Sequence, residues 1–232
     1  MQTGLILAGG SGRRLGTETP KQFLEIAGKP MLVYSLEAFE KHDLIDSIAV
    51  VCVPGWQNEL RLLAQRYRIS KLRWIVDADE SRSLSSYQGL RALSGELSPE
   101  DIVLIHDAAR PFITHRIISD NIKAVLRYGA ANTVIPAVDT LLRSMDSQIA
   151  DKIVDRRALY LSQTPQSFQY DLIMRAYKKF FENGKTTATC DCSVALMAGN
   201  EVGLCTGSRM NIKVTTAEDL TIAELYAGVY TL

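Results

Sequence analysis

An apolar run, Leu5-Ile6-Leu7-Ala8, leads directly into Gly9-Gly10-Ser11-Gly12-Arg13-Arg14-Leu15-Gly16, and Pro20-Lys21-Gln22-Phe23 follows closely. Gly9, Gly10 and Gly12 let the backbone approach an anion and accept positive φ, while Arg13, Arg14 and Lys21 bring positive charge to whatever is held there. Such a turn wraps a polyphosphate. The spacing fits neither common nucleotide fingerprint. A P-loop needs Gly-Lys-Ser or Gly-Lys-Thr at the helix start, and a dinucleotide fold needs GxGxxG with an acidic residue about 20 positions later. The expected ligand is therefore a nucleoside triphosphate whose phosphates are worked on.

Four further sets of residues carry chemistry. His106-Asp107-Ala108-Ala109-Arg110-Pro111 follows the apolar Ile102-Val103-Leu104-Ile105, so a strand delivers an acid and a base at its carboxyl end. Asp107 and Arg110 could pair and tie the turn. Alternatively, Asp107 contacts substrate hydroxyls or holds Mg²⁺ through water. Asp155-Arg156-Arg157 precedes Gln163-Thr164-Pro165-Gln166; arginine there suits bidentate capture of a substrate phosphate, or else forms a solvated face. Lys213, in Asn211-Ile212-Lys213-Val214-Thr215-Thr216, is expected in a short alternating strand, facing either the site or water. In Ser81-Arg82-Ser83-Leu84-Ser85-Ser86 the hydroxyls start a helix and either cap it or contact a base.

Taken together, these sets suggest nucleotidyl transfer. Arg14, Lys21 and Lys213 would neutralise the α-phosphoryl group while a substrate phosphate oxygen attacks in line and pyrophosphate leaves. Mg²⁺ would bridge the triphosphate oxygens. No side chain needs to become a covalent nucleophile, because a phosphate monoester is already largely ionised near neutral pH.

The elements that must hold these groups alternate along the chain. Strand-like runs at 4–8, 48–53, 72–76, 102–106, 133–137 and 202–205 are separated by helical patterns at 31–41, 57–67, 83–94, 117–128, 171–183 and 192–198. This rhythm describes an α/β sheet with helices on both faces, in a single domain spanning 1–232. Ligands of such sheets gather at the carboxyl ends of strands. That rule nominates the turn at 9–16 together with 54–55, 77–82, 107–110 and 138–140. The stretch 139–168 breaks the rhythm, with two short strands around Asp146-Ser147-Gln148 in an expected arm at 139–162. A hairpin there would stand off the sheet as an arm, and a second subunit would cover its apolar face. Thr216 caps a closing helix over 217–230.

Composition narrows the partners. With 26 basic and 26 acidic residues the formal net charge is zero, so no global field draws in nucleic acid or membrane. Met1-Gln2-Thr3 leads at once into a strand, and no apolar run is long enough to span a bilayer, so a cytoplasmic location is expected. Cys52 reads as a buried core thiol. Cys190 and Cys192, with Cys205 and only three histidines, do not make a zinc or disulfide framework.

At this level of detail the chain resembles the cytidylyltransferases that join CTP to a polyol phosphate, either 2-C-methyl-D-erythritol 4-phosphate or ribitol 5-phosphate. The resemblance covers nearly the whole chain: Leu7 to Gly16 residue by residue, Pro20-Lys21-Gln22-Phe23, His106 to Phe112, Ala137-Val138-Asp139-Thr140, Asp155-Arg156, Gln163 to Phe168 and Asn211 to Thr215. It implies a Rossmann-like, mostly parallel sheet whose protruding β-arm is used in dimerisation. It also implies that Arg14, Lys21 and Lys213 act on the α-phosphate. Leu7, Ala8, Gly9, Gly10, Ser11, Gly12, Ala78, Arg82 and Ser85 would seat CTP. Asp107, Arg110, Thr140, Thr164 and Asp191 would face the polyol, and Arg156 of the other subunit would hold its phosphate.

Two positions depart from the family pattern. Asp77-Ala78-Asp79 replaces a Gly-Gly pair and adds charge and bulk beside the base pocket, and Cys190 stands where a threonine precedes Asp191. Leu97 to Val103 and Gln163 to Phe168 look closer to the ribitol phosphate enzymes, although Ala108-Ala109 looks closer to the methylerythritol phosphate type. D-ribitol 5-phosphate is the expected substrate. A sugar 1-phosphate nucleotidyltransferase and a nucleotide-binding regulator without turnover are the rival readings.

Overall fold

The computed structural model describes residues 1–10 and 19–230. In chain order the strands and helices are β1 (Gln2–Ala8), β2 (Glu25–Ile26), β3 (Lys29–Pro30), α1 (Met31–Glu40), β4 (Ser47–Cys52), α2 (Gln57–Arg66), β5 (Leu72–Asp77), α3 (Arg82–Ala92), β6 (Ile102–Asp107), α4 (His115–Tyr128), β7 (Ala130–Pro136), β8 (Leu141–Arg143), β9 (Lys152–Val154), β10 (Tyr160–Gln169), α5 (Tyr170–Glu182), α6 (Asp191–Met197), β11 (Gly203–Thr206) and α7 (Ala217–Ala227).

Seven strands form the central sheet in the order β11-β7-β10-β6-β1-β4-β5. β1 pairs in parallel with β4 and β6, and β4 with β5. The chain therefore moves outward from β1 through β4 to the edge, then crosses back to place β6 on the other side of β1. That reversal opens a crevice at the carboxyl ends of β1 and β6.

Alternating side chains of the strands feed two cores. Ile6, Ile48 and Val50 pack on one face with Leu36 and Phe39 of α1, Leu60 of α2 and Ile118 of α4. Leu5, Ala49 and Val51 pack on the other with Leu90 of α3, Tyr177 of α5 and Val194 of α6. A Cβ on Gly89 would lie 2.8 Å from Leu5, which explains how α3 seats so close to the sheet. α7 closes a third cluster around Phe112, Met31 and Val214.

The least expected element is β10. It runs antiparallel between β6 and β7, and its register shifts between Ser162 and Gln166 around a cis Thr164-Pro165 bond. Its residues Gln163, Thr164, Gln166 and Ser167 are buried, so a polar stretch not expected as a strand forms a central one. Backbone ladders on both sides make this tolerable, and side-chain bonds absorb the rest: Asn121 donates to Thr133 at 2.8 Å and accepts from Ser167 at 3.0 Å. The hairpin forms as expected from β8 and β9, with Leu142 opposite Ile153. Tyr160, Leu161 and Ser162 already pair with β7, so the span 139–162 expected for the arm runs three residues into the main sheet.

Candidate active site

A cavity of about 460 Å³ opens at the crevice between β1 and β6. Its wall combines Leu7, Ala8, Gly9 and Gly10 at the end of β1 with Lys21 and Gln22, Asp79 to Arg82 and Ser85 around the start of α3, Asp107 to Ala109 at the end of β6, and Lys213. Ser11, Gly12 and Arg14 lie outside the described residues. Of the loops nominated from the strand ends, 54–55 and 138–140 do not reach this cavity.

Backbone chemistry sets each of these groups. A Cβ on Gly9 would sit 2.3 Å from the Ala78 Cβ, so only glycine lets the β1 turn lie against the β5 turn. Ala78 thus supports the wall from behind. Gln22, buried and not anticipated as part of the site, donates its amide to the Ala8 carbonyl at 2.5 Å and holds the end of β1. Ser81 caps α3 by accepting from the Leu84 amide at 3.1 Å. The Ser85 hydroxyl accepts from the Asp79 amide at 2.9 Å and fixes the loop before the helix. Asp77, expected to crowd the base pocket, instead accepts from Gln57 of α2 and does not line the cavity. Asp79 does line it, with its carboxylate taken by the Glu80 amide and by Gln88.

Lys213 does not lie in a strand. Residues 211–214 are stitched to the turn after β6 by two bonds, from Arg110 to the Asn211 carbonyl at 2.7 Å and from the Val214 amide to the Ala109 carbonyl at 2.8 Å. An irregular turn offers no ladder, so no strand can propagate there. Asp219 anchors the far side by accepting from the Thr215 and Thr216 amides. Between these anchors the Lys213 ammonium reaches Asp107 at 2.7 Å, and Lys21 donates to the Val214 carbonyl at 2.9 Å. Two lysines separated by 192 positions in sequence thus line one cavity.

Asp107 is the electrostatic centre. It is 7% exposed, one oxygen accepting from Arg82 at 3.1 Å and the other from Lys213. Burial alone would raise its pKa, but the adjacent Arg82 and Lys213 cations outweigh this and hold the carboxyl below its ordinary range. Asp107 and Arg110, weighed as a possible pair, do not bond: the Arg110 guanidinium goes to the Asn211 and Ser162 carbonyls. Arg82 continues to Asp191 at 2.7 Å, and Asp191 accepts from the Tyr177 hydroxyl at 2.6 Å. Burial, together with the Asp191 charge, pushes the Tyr177 pKa well up, so the phenol remains a donor.

His106 is a structural group. It is fully buried, with Nε2 at 3.0 Å from the Arg110 carbonyl, which can only accept, so Nε2 carries the proton. Nδ1 then accepts from the Thr164 hydroxyl at 3.1 Å, and the Thr164 oxygen in turn accepts from the Asp107 amide at 3.1 Å. Desolvation lowers the His106 pKa to about 4 and keeps the ring neutral.

Three residues expected to face the polyol therefore stand behind the cavity wall. Arg110 positions residue 211, Thr164 links His106 to the Asp107 backbone, and Asp191 is fully buried beneath Arg82. Thr140 and Arg156 are exposed at the arm, where Arg156 donates to the Val138 carbonyl. The signal that could have placed Arg82 and Asp191 together is weak: they stand 109 positions apart and neither neighbours an ionic motif.

The arrangement pairs an anion-receiving turn with two lysines and a fixed acid, as expected for transfer at a phosphorus atom. Comparison with known proteins agrees. Over 94% of its length the chain is 37% identical to the ribitol-5-phosphate cytidylyltransferase of Lactiplantibacillus plantarum, covering 94% of that protein. It is also 37% identical to the enzyme of the same name from Vibrio parahaemolyticus, over 96% of this chain and 94% of that one. Among solved structures, the 4-diphosphocytidyl-2C-methyl-D-erythritol synthase of Anaerococcus prevotii superposes with a TM-score of 0.84 at 27% identity, covering 98% of this chain and 96% of that one. The 2-C-methyl-D-erythritol 4-phosphate cytidylyltransferase of Francisella tularensis does so at 0.80 and 28%, covering 99% of each. Residues 3–228 match the family model for 2-C-methyl-D-erythritol 4-phosphate cytidylyltransferase, and the chain belongs to this IspD family of nucleotidyltransferase enzymes.

Proposed function

We propose that the protein transfers the cytidylyl group of CTP to D-ribitol 5-phosphate, forming CDP-ribitol and releasing pyrophosphate, as a homodimer in the cytoplasm. The convergence of Lys21, Lys213, Arg82 and Asp107 on one cavity carries this reading. The triphosphate lies along Gly9 and Gly10 and is met by Lys21 and Arg14. A phosphate oxygen of the polyol phosphate attacks the α-phosphorus, the bond to the β-phosphate oxygen breaks, and pyrophosphate leaves with the electron pair. Lys21 and Lys213 stabilise the charge that develops on the α-phosphoryl oxygens. In the ligand-free chain Lys213 is held by Asp107 and Lys21 by the Val214 carbonyl, so both ammonium groups are presented at the cavity wall before substrate arrives.

Asp107, kept ionised by its two cationic neighbours, accepts from a polyol hydroxyl. Arg156 and Thr140 come from the arm of the second subunit, and Arg156 binds the ribitol phosphate. The arm supports this: Leu142, Met145, Ile149 and Ile153 are between 63% and 83% exposed, an apolar face without cover in the monomer. Mg²⁺ is carried in on the triphosphate, where it would screen the phosphate oxygens. Among the described residues no three His, Cys, Asp or Glu side chains converge as a metal cage, and both Asp107 oxygens are engaged, a donor set suited to a cation bound mainly through substrate.

Ribitol phosphate is preferred over 2-C-methyl-D-erythritol 4-phosphate because the relatives that carry the ribitol name are 37% identical, against 27–28% for the solved methylerythritol enzymes cited above. Pyrophosphate release measured with CTP and each polyol phosphate in turn tests the choice. Turnover with D-ribitol 5-phosphate should exceed that with the methylerythritol compound by at least about 100-fold in kcat/KM. The reverse preference would reject the ribitol assignment.

A further inference from the structure

We infer that Tyr177 and Asp191, neither of which touches the cavity, are positioning residues that aim the Arg82 guanidinium at the second substrate. This rests on the cytidylyltransferase reading above. The line of contacts begins deep in the second core. Tyr177 of α5 is fully buried, its ring 5.7 Å from Tyr87, 5.9 Å from Phe181 and 6.3 Å from Phe180 between centroids. Its hydroxyl donates to Asp191 at 2.6 Å. Asp191 opens α6 with no exposure to solvent, and its other oxygen lies 2.7 Å from Arg82.

Arg82 is the first residue of this line to reach the cavity. Its guanidinium carries five N–H groups. Two donate to one oxygen of Asp107, at 3.1 and 3.3 Å, and the nitrogen facing Asp191 supplies a third contact. Two N–H groups remain on a planar fork whose orientation two carboxylates have already set. Such a fork suits an oxygen-rich ligand that lies beside Asp107, and the polyol phosphate, rather than the CTP that the resemblance implied for Arg82, is that ligand.

A purely stabilising role explains the arrangement poorly. Burying a carboxylate costs several kcal/mol before pairing, and an apolar side chain of similar size commonly serves stability as well or better. The charges also balance within the group: Arg82 and Lys213 against Asp107 and Asp191. Without Asp191, Arg82 would keep one anchor instead of two and would be free to rotate about it. The cavity would gain a positive charge at the same time. Triphosphate binding would then be unharmed while the second substrate lost its alignment.

The test uses Asp191→Asn and Tyr177→Phe in the full-length protein, with steady-state kinetics in both substrates. Asp191→Asn should raise KM for D-ribitol 5-phosphate about tenfold and lower kcat, with KM for CTP unchanged or reduced. Tyr177→Phe, which keeps the ring and its packing, should show the same split at about threefold. Equal changes in both KM values, or a loss of kcat alone that tracks a fall in Tm, would overturn the proposal. Hydrogen exchange at the Arg82 Nε–H, followed by ¹⁵N NMR without substrate, gives a readout independent of turnover. Exchange should accelerate at least about tenfold in either variant, and an unchanged rate in both would overturn the proposal. If wild-type protein fails to turn over either polyol phosphate, the functional reading falls, while the exchange rates still decide whether Asp191 and Tyr177 hold Arg82.

Discussion

The crevice at β1 and β6 and the β8–β9 arm both carry arginines and carboxylates, yet they use them differently. In the crevice, two buried carboxylates are held by cations from other segments: Asp107 by Arg82 and by the exposed Lys213, and Asp191 by Arg82. On the arm the pairs are local and exposed, Arg143 with Asp151 and Arg157 with Asp155. Exposed pairs contribute little to stability and relax readily, whereas a buried network holds its geometry. Among the described residues, the charged groups of the crevice are thus already fixed by one another. The arm presents apolar side chains outward and Arg156 at its root, a surface that acquires meaning only against another one. On the proposed reading, one chain supplies the phosphate-transfer end of the site, and the second subunit adds the end that grips the polyol phosphate.

The sharpest break in this comparison comes from Lys21. If Lys21 acts on charge that develops at the α-phosphorus, Lys21→Ala should lower kcat by about 10³-fold with only a modest change in CTP affinity, measured by pyrophosphate release and by calorimetry with CTP. Turnover within a few-fold of wild type would remove the crevice as the reaction centre.

The arm comes next. Arg156→Ala should raise KM for D-ribitol 5-phosphate about 100-fold while leaving KM for CTP nearly unchanged. Mixing Arg156→Ala protein with Lys21→Ala protein should restore about a quarter of wild-type activity, because half the dimers are mixed and each then holds one intact site. No recovery on mixing, with subunit exchange verified, would show that the arm serves its own chain.

The smallest effect concerns the support beneath the crevice. His106 is neutral in the fold with its pKa lowered to about 4, against about 6.5 in the unfolded chain. A lowered pKa adds stability that is fully present above 6.5 and is lost as pH falls toward 4. At pH 5 the loss should be about 2 kcal/mol relative to pH 7.5, read from urea denaturation. His42 is lowered by burial too and titrates in the same sense, so the difference between wild type and His106→Gln isolates the His106 share. Identical pH profiles for the two proteins would mean that His106 is not held as described.

Much of the fold was readable because its signals are local. The strand at 48–53 and the helix at 117–128 announce themselves through continuous apolar runs and helical spacing, and both stand within two residues of β4 and α4. β10 escaped notice because Gln163, Thr164, Gln166 and Ser167 lack the apolar signature of a central strand. They are buried only because Ser208, His106, Cys192 and Asn121 supply their hydrogen-bond partners. Lys213 was recognised as a functional residue and misplaced as a strand residue for a similar reason: alternation in Asn211 to Thr216 says nothing about whether a neighbouring strand exists to pair with it. Asp191 was legible as an acid of the site, but its burial under Arg82 depends on α5 and α6 packing against α3.

Glycine spacing, charge order and apolar rhythm by themselves determined that this chain folds as an α/β sheet, and they nominated the turn after its first strand and the cations proposed for the chemistry. Steric and charge requirements of that kind are written in residue type and need only neighbours to act. The tertiary structure alone decided which groups meet. Asp107 chooses Arg82 and Lys213 over Arg110, and Asp191 serves Arg82 from below, because packing of α3, α5 and the segment before α7 sets distances that no pair of residues separated by about a hundred positions can encode locally.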